Sequence, residues 1–325
     1  MENIVIKRYQ PEDYSLWNNF VKEAKNATFL FHRDFMEYHN YRFKDFSLLI
    51  FQNEQLIGII PAHLVDKKVF SHLGLSYGGI VISKNLRTVV FLKILKSLLH
   101  YLRNEGVYFF VWKEIPNFYK LQFSDELKYF SYLLNANVLR RDFSSVINLN
   151  NSFRLSKSIK RDACLARRKG FVVKKMDEYE SFWNNVLIPE LNAIYQTKPV
   201  HSLNEIDKLA KLFPENIKLY CVLLEDEIVG GCVLFVNGKT VHTQYISGLR
   251  VYRKYGVLDL LFYELIFKEF SSFNYFDFGT SHENEGKQIN EGLLFWKESF
   301  GARSCIQDYY EINVKNVHLL DDIMI

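Results

Sequence analysis

Several polar residues of this chain stand where the surrounding pattern gives them no structural task. Lys297 follows Phe295-Trp296 in an apolar, helix-like run, where a charge needs a reason. The plain alternative is a lysine whose stem lies along an amphipathic helix while its ammonium reaches water. His242, Gln244 and Tyr245 fall in a strand-like run, and strict alternation places His242 and Gln244 on one face and Tyr245 on the other. A histidine titrates close to neutrality, so His242 is suited to general-base chemistry. Asp277 interrupts an aromatic run, Tyr275-Phe276-Asp277-Phe278, and either orients such a base or bonds neighbouring backbone. Gly279-Thr280-Ser281 ends that run, and ligands of α/β sheets bind at strand ends. His201 and Ser202 follow Lys198-Pro199. Ser202, with Glu205 three residues on, reads as a capping box, whereas His201 has no such explanation and is a candidate for lining a cleft. No Ser or Cys nucleophile constellation and no metal-ligand spacing is visible, so an attack by the substrate itself fits better than covalent catalysis.

An internal repeat sharpens this choice. Residues 47–60 read like residues 219–232: an apolar strand, an acidic turn, and a second strand carrying a glycine. The echo continues to the end of the chain, its offset falling from about 172 residues (Ser47 against Leu219) to about 166 (Ser131 against Lys297). A period this long means a duplicated domain rather than a solenoid unit. The second copy carries groups that the first lacks. Lys297 faces Ser131, and Gly256 faces Asn85, while His242 is aligned with His72 and so shares its position.

The elements that position these residues follow the same order in both halves. The first half reads as a strand near residues 4–8, helices at 11–27 and 33–41, strands at 45–52, 56–64, 68–73 and 76–82, a helix at 86–104, a strand at 107–112, a helix at 125–134 and a strand at 138–149. The second half reads as helices at 177–193 and 203–213, a meander at 219–224, 227–236 and 240–249, a helix at 255–272, a strand at 275–278, a helix at 290–300 and a strand at 303–313. Mixed α/β sheets follow, antiparallel at first and closed by crossover helices. The join, near residue 150, leads into a basic stretch. Arg154, Lys157, Lys160, Arg161, Arg167, Arg168, Lys169, Lys174 and Lys175 stand against Asp162 alone, as a solvated linker helix or as a phosphate-contacting one.

A chain of 325 residues holds two domains of ordinary size, and 48% hydrophobic content gives each a core. A net charge of +4 does not by itself imply nucleic acid. Cys164, Cys221, Cys232 and Cys305 show no paired spacing, and Cys221 and Cys232 read as buried thiols. With no signal peptide at the first residues and no run long enough to span a bilayer, the expectation is a reduced, cytoplasmic protein.

The order of elements resembles the GCN5-related N-acetyltransferase (GNAT) fold, present in tandem. Particular segments are similar to those of the FemAB-like tandem acyltransferases: residues 29–39 and Leu75-Ser76-Tyr77-Gly78-Gly79 in the first half, and Pro199-Val200-His201-Ser202, His242-Thr243-Gln244-Tyr245, residues 276–281 and residues 292–302 in the second. The resemblance covers nearly the whole chain. It implies an α/β protein of two tandem GNAT-like domains, residues 1–150 for acceptor recognition and residues 151–325 for donor binding and catalysis. It implies direct attack by an amine on an acyl donor, with acetyl-CoA or another acyl-CoA as donor and an amino sugar or cell-envelope precursor as acceptor. Characterised peptidoglycan members of the family take aminoacyl groups from tRNA, which is the alternative donor. This chain lacks the helical-hairpin arm that some tRNA-using members insert in the second half. A duplicated saccharide-binding module without catalysis is the third reading. Neither DNA nor a metal is implied.

The resemblance also distributes roles. Lys297 matches the family's aromatic-Lys motif, which implies a contact with the oxyanion or with donor phosphate, and His242, His201 and Asp277 complete the catalytic candidates. Arg253-Lys254-Tyr255-Gly256-Val257 resembles a worn acetyltransferase pyrophosphate loop, which presents backbone amides at a helix N-terminus. Leu258 stands where the usual pattern has a second glycine or alanine. Arg253, Gly256, Val257 and Ser281 are the donor-binding candidates. Arg33, Tyr38, His39 and Tyr77, with Gln244 from the second half, are the acceptor-binding candidates.

Overall fold

The computed structural model describes residues 4–323, and the chain divides into two compact units. The first is Met1–Asp142 with Ile306–Ile325, the second Phe143–Cys305. The single boundary expected near residue 150 is thus replaced by two crossings, because the strand that ends each sequence copy runs into the other copy's unit.

In the first unit, β1 (Ile4–Arg8), β2 (Leu48–Gln52), β3 (Gln55–Ile60) and the short β6 (Val81–Ile82) form one antiparallel sheet. The helices α1 (Tyr14–Glu23) and α2 (Arg33–Met36) lie between β1 and β2 in sequence. The hairpin of β4 (His63–Val65) and β5 (Lys68–Phe70) leads to β7 (Phe109–Lys113), which runs parallel to β5. Tyr309–Asn313, the end of β16 (Arg303–Asn313), pairs antiparallel with β7. The long helix α3 (Thr88–Asn104) buries Phe91, Leu92, Leu95, Leu98, Leu99 and Leu102, one stripe at helical spacing, into the core of this unit. A shorter helix, α4 (Glu126–Leu133), adds Leu127 and Phe130. The strand expected at 76–82 shrinks to its last two residues, since the backbone around Gly78 is committed elsewhere: Gly78 N donates to Lys113 O at 2.9 Å.

The second unit is built the same way around one larger sheet. Its strands, in spatial order, are the end of β8 (Asn137–Asn148), β13 (Tyr275–Thr280), β12 (Thr240–Gly248), β11 (Glu227–Asn237), β10 (Ile217–Leu224) and β9 (Val172–Met176). The basic stretch forms a helix, α5 (Lys157–Arg168), capped by Ser156. The helix expected at 177–193 is α6 (Glu180–Phe182), a π-helical turn over Trp183–Leu187, and α7 (Ile188–Tyr195), followed by α8 (Leu203–Leu212). Then α9 (Val257–Glu264) packs its apolar face with Phe276 and Phe278. A two-stranded hairpin, β14 (His282–Glu283) and β15 (Gln288–Ile289), precedes α10 (Glu291–Ser299). Among the described residues no helix is long and apolar enough to cross a membrane. Cys221 and Cys232 are fully buried free thiols, as their apolar runs suggested.

The duplication is written into local geometry. The β2–β3 turn holds Asn53 and Glu54 at φ of 47° and 67°, and the β10–β11 turn holds Glu225 and Asp226 at 50° and 67°. Both are two-residue hairpin turns of the twist-compatible kind, made without glycine. Just inside each turn the register slips once, after Ile50 in the first copy and after Val222 in the second.

Candidate active site

The site grows from a place where two parallel strands part. β12 and β13 pair through Thr240–Tyr275, Val241–Phe276 and His242–Asp277, and the pairing ends there while both strands run on. On its other side β12 carries an extra residue, since Leu234 pairs with Thr243 but Val233 pairs with Tyr245. Gln244 is that bulge. A bulge resets the alternation of faces. His242, opposite Phe235, and Tyr245, opposite Val233, therefore share a face, where strict alternation had separated them. His201 lies over this face, its ring near both Phe235 and Tyr245.

At the last paired position His242 Nδ1 is 2.8 Å from Asp277 Oδ2. An ionised carboxylate only accepts, so Nδ1 carries the hydrogen and Nε2 is the basic nitrogen of the neutral ring. Asp277 is buried, and its other oxygen accepts from Gly279 N at 2.8 Å, which fixes the carboxylate. Gly279 has φ of +71°, and a Cβ there would lie 3.3 Å from His242 Cε1. The glycine thus provides both the turn and the room for the imidazole.

Lys297 reaches the same strand end from α10. Its Nζ donates to Thr280 O at 2.6 Å and Gly279 O at 3.1 Å, and the residue is 2% exposed. Burial pulls its pKa down to about 8, against the opposing pull of the Asp277 charge. An ammonium has three donors, so the two carbonyls leave one for a ligand. The neighbour Trp296 holds the helix in place. Its Nε1 donates to Asp259 Oδ1 at 2.7 Å, and its ring packs against Phe262, Phe278 and Phe300.

The first unit shows what the fold does without these groups. Lys67 O accepts from Tyr108 N and Phe109 N, as Lys239 O accepts from Asn274 N and Tyr275 N. Lys68 pairs with Phe109 as Thr240 pairs with Tyr275. His242 and Asp277 therefore correspond to Phe70 and Val111, which pair with each other. The alignment of His242 with His72 was two residues out of register, and His72 falls at the place of Gln244. The counterpart of Lys297 is Ser131, as the sequence indicated. Asn135, at φ of 50°, bonds back to Tyr132 O after α4, and Gly301, at φ of 94°, bonds back to Glu298 O after α10. All three charged or titrating groups are absent from the first copy.

The remaining candidates are distributed unevenly. His201 is buried and pairs through N and Nδ1 with Tyr245 OH, at 3.1 and 2.6 Å. Burial pushes the Tyr245 hydroxyl up to about 12. Ser202 caps α8, with Glu205 closing the capping box. Ser281 and Thr243 bury hydroxyls that have no hydrogen-bond partner among the described residues. Thr243, between His242 and the bulge, was missed by sequence reasoning, because a threonine in a strand carries no signal of its own.

The entrance to α9 does not fit a donor pyrophosphate well. Gly256 has φ of +70°, and a Cβ there would lie 2.8 Å from Asp162 Cβ and 2.9 Å from Asp162 O. Its lack of a side chain thus admits α5. Arg253 and Arg250 both donate to Glu190 Oε2, at 3.1 and 3.3 Å, and Arg250 N donates to Glu190 Oε1 at 3.1 Å. Val257 is buried in the core. The Glu190 carboxylate holds both arginines and the backbone of Asp162 abuts Gly256, where a phosphate would be sought, and Glu190 was not legible in the sequence as the arginines' anchor. On α5, Lys157, Lys160 and Arg168 are exposed and make no ion pair among the described residues.

The acceptor candidates of the first unit are packed rather than displayed. Arg33 donates to Asp45 at 2.5 Å, Glu37 at 2.8 Å and Ser47 at 3.1 Å. His39 is 1% exposed and stacks on Tyr38 with 4.1 Å between ring centroids. Tyr77 is buried against Phe31 and Tyr119.

The acetyltransferase (GNAT) domain family matches residues 196–287, within the second unit. No curated protein sequence matches the chain. Among solved structures the chain is similar to FemX, with a TM-score of 0.65 at 11% identity over 98% of this chain and 99% of that one. It is similar to the C-terminal domain of a putative lysylphosphatidylglycerol synthetase from Agrobacterium fabrum, with a TM-score of 0.58 at 12% identity over 95% and 93% of the two chains. It is also similar to L-PGS from Bacillus licheniformis, with a TM-score of 0.58 at 11% identity over 97% and 95%. At these identities the likeness is one of fold. Together with the domain match and the repeated geometry, it makes the chain a tandem GNAT-fold protein, with the matched acetyltransferase (GNAT) domain in its second unit.

Proposed function

We infer that the chain is an N-acyltransferase that moves an acyl group from an activated donor to the amine of an amino sugar or cell-envelope precursor by direct attack. The observation that carries this reading is the convergence of His242, Asp277 and Lys297 on one strand end, Gly279–Thr280, at positions that are Phe70, Val111 and Ser131 in the first unit. The amine nitrogen forms the new bond to the acyl carbon. Its proton passes to His242 Nε2, while Asp277 keeps Nδ1 protonated and the ring oriented. Lys297 holds positive charge beside the developing oxyanion in a desolvated setting, where a fixed charge acts most strongly. The bond to the leaving group then breaks, and the proton returns to that group.

An acyl-CoA is the donor that the family resemblance implies. The alternative, an aminoacyl-tRNA, gains support from two observations: the Glu190 carboxylate and the Asp162 backbone at the entrance to α9, and the exposed Lys157, Lys160 and Arg168 on α5, which make no ion pair among the described residues. Thermal denaturation during an acetyl-CoA titration separates the two. A ligand at 100 times its Kd stabilises the folded chain by about 2.7 kcal/mol, so a rising Tm supports the thioester donor. No shift with acetyl-CoA, together with tRNA binding that falls steeply with salt, supports the second donor. Neither response removes both.

A further inference from the structure

Three histidines of the first unit are buried around one phenyl ring. His39, His63 and His72 are 1%, 0% and 5% exposed. Their ring centroids lie 5.0, 4.7 and 4.9 Å from that of Phe43. The His72 ring lies 5.5 Å from His39 and 5.1 Å from His63. Tyr38 stacks on His39, and Phe70 on His63. The group joins three pieces of chain: residues 37–43, the β4–β5 hairpin, and residues 71–74, where a Cβ on Gly74 would collide with His39 Nε2. No group of three or more His, Cys, Asp or Glu among the described residues could hold a metal ion, so ligation does not explain the cluster.

Packing alone does not ask for imidazoles here. Neither ring nitrogen of His63 has a hydrogen-bond partner among the described residues, and a buried polar atom left unpaired is costly. By the register that aligns Phe70 with His242, His63 corresponds to Phe235 and His72 to Gln244, so the same fold accepts a phenyl at the first position. His72 also holds φ of 66°, a left-handed conformation uncommon for a residue with a side chain. What an imidazole has and a phenyl lacks is a site for a proton. Burial, followed by the charge of the neighbouring histidines, pulls His63 down to about 4 and His72 to about 3, against an ordinary value of 6.5. The other charged groups that reach the cluster do not offset this. Asp45 bridges His63 through the backbone and favours protonated rings, but its carboxylate already accepts from Arg33 Nη2 and Ser47 N, both at 2.5 Å. Arg33, which Glu37 also holds, opposes protonation of His72.

We propose that the three histidines form a proton-operated latch, which keeps the corner of residues 37–43, the β4–β5 hairpin and residues 71–74 closed near neutrality and releases it in mild acid. Above pH 6.5 the imidazoles are neutral whether packed or released, and the closed corner keeps its full stability. As the pH falls below 6.5, released imidazoles take up protons that packed ones refuse until about pH 4 to 3, so the balance moves toward the released form. Between pH 7 and 5 that shift is about 20-fold for each of His63 and His72, and about 500-fold for the two together. Release uncovers His39, an acceptor candidate that the closed form buries. The proposal does not depend on the reaction assigned to the second unit.

Hydrogen–deuterium exchange of the full chain tests it, read by mass spectrometry at pH 7, 6 and 5 and corrected for the intrinsic exchange rate at each pH. The reporters are the amides of Phe43, Leu64, Ser71 and Leu75, which donate to Asn40 O, Lys44 O, Val111 O and His72 O. Peptides carrying them are expected to lose protection by about a hundredfold or more from pH 7 to 5, while peptides of α3 and of β10–β12 keep theirs. His63→Phe with His72→Gln, the residues of the second unit, is expected to abolish that loss. His63→Phe alone is expected to reduce it by about 20-fold, which keeps the proposal open to refutation if the double variant does not fold. The proposal is overturned if protection of the reporters does not change with pH, if it falls equally throughout the chain, or if a folded variant loses it as the wild type does.

Discussion

Replacing Lys297 by methionine separates what the lysine does for the reaction from what it costs the fold. Methionine keeps the unbranched apolar stem and removes the charge. The ordinary pKa is 10.5, and burial lowers it to about 8 in the folded chain. Below pH 8 the lysine is protonated in both states, and the full cost of burying the charge is felt. Between pH 8 and 10.5 the unfolded chain keeps its proton while the folded chain releases it. The unfolded state then binds more protons, so the wild type gains stability as pH rises. The gap of 2.5 pH units, at 1.36 kcal/mol each, amounts to about 3.4 kcal/mol in full, of which about 2.5 kcal/mol is realised between pH 7 and 10. Losing the bonds to Gly279 O and Thr280 O offsets the variant by an amount that does not depend on this titration, so the comparison across pH isolates the buried charge. The assay is urea denaturation of both proteins at pH 7, 8.5 and 10. The wild type should gain about 2.5 kcal/mol on the variant across that range, while turnover of the variant falls roughly 10²- to 10³-fold with little change in KM. Parallel stability–pH curves would refute the desolvated-charge argument. Full turnover with the true substrates would refute the catalytic one.

Three further substitutions probe other links. Asp277→Asn should lower kcat by about 10²-fold or more, because an amide lets the His242 ring adopt the other tautomer and turns the basic nitrogen away from the amine; an unchanged kcat removes Asp277 as the group that orients His242. Gly256→Ala places a Cβ against Asp162 at a left-handed φ and should destabilise the chain by roughly 2 kcal/mol in chemical denaturation. Arg33→Met leaves the part-exposed Asp45 and Glu37 without their buried partner, so a loss of roughly 1–2 kcal/mol is expected, with turnover per folded molecule unchanged; a selective rise in KM for the acceptor would instead restore its recognition role.

Elements of this fold were legible wherever apolar periodicity was strong. The stripe of α3, the acidic hairpin turns, and the aromatic run of β13 appear in the sequence as they do in the structure. What escaped is information that alternation does not hold. A strand's pattern states which face is apolar but not which strand it will join, so the partners of β8 and β16 were invisible and a single boundary was drawn. One extra residue at Gln244 inverted the faces that followed, and a slip of two residues made His72 look like the twin of His242. Glu190 and Asp162, which surround Arg253 and Gly256, lie 63 and 94 residues away in sequence, and nothing near the loop announces them.

Corrected in register, the duplication becomes a controlled comparison within one chain. Two copies of one fold agree in their turns and their first bulge and differ where charge is buried. The second copy buries Asp277 and Lys297 at positions that are Val111 and Ser131 in the first. The first copy buries Glu114, paired with Lys128, and the positions matching these two in the second are Thr280 and Leu294. Neither set is demanded by the architecture, since the other copy folds without it. Desolvated charge lowers stability unless it is well paired, so its retention in different places argues for different tasks. A buried charge cluster at the strand end of the second unit, where the first unit has Val111 and Ser131, is the asymmetry that bears on function. The comparison makes a definite demand on an exchange experiment: Glu114→Thr with Lys128→Leu should leave the folded chain no less stable in chemical denaturation, because it installs residues that the same fold already carries at the equivalent positions.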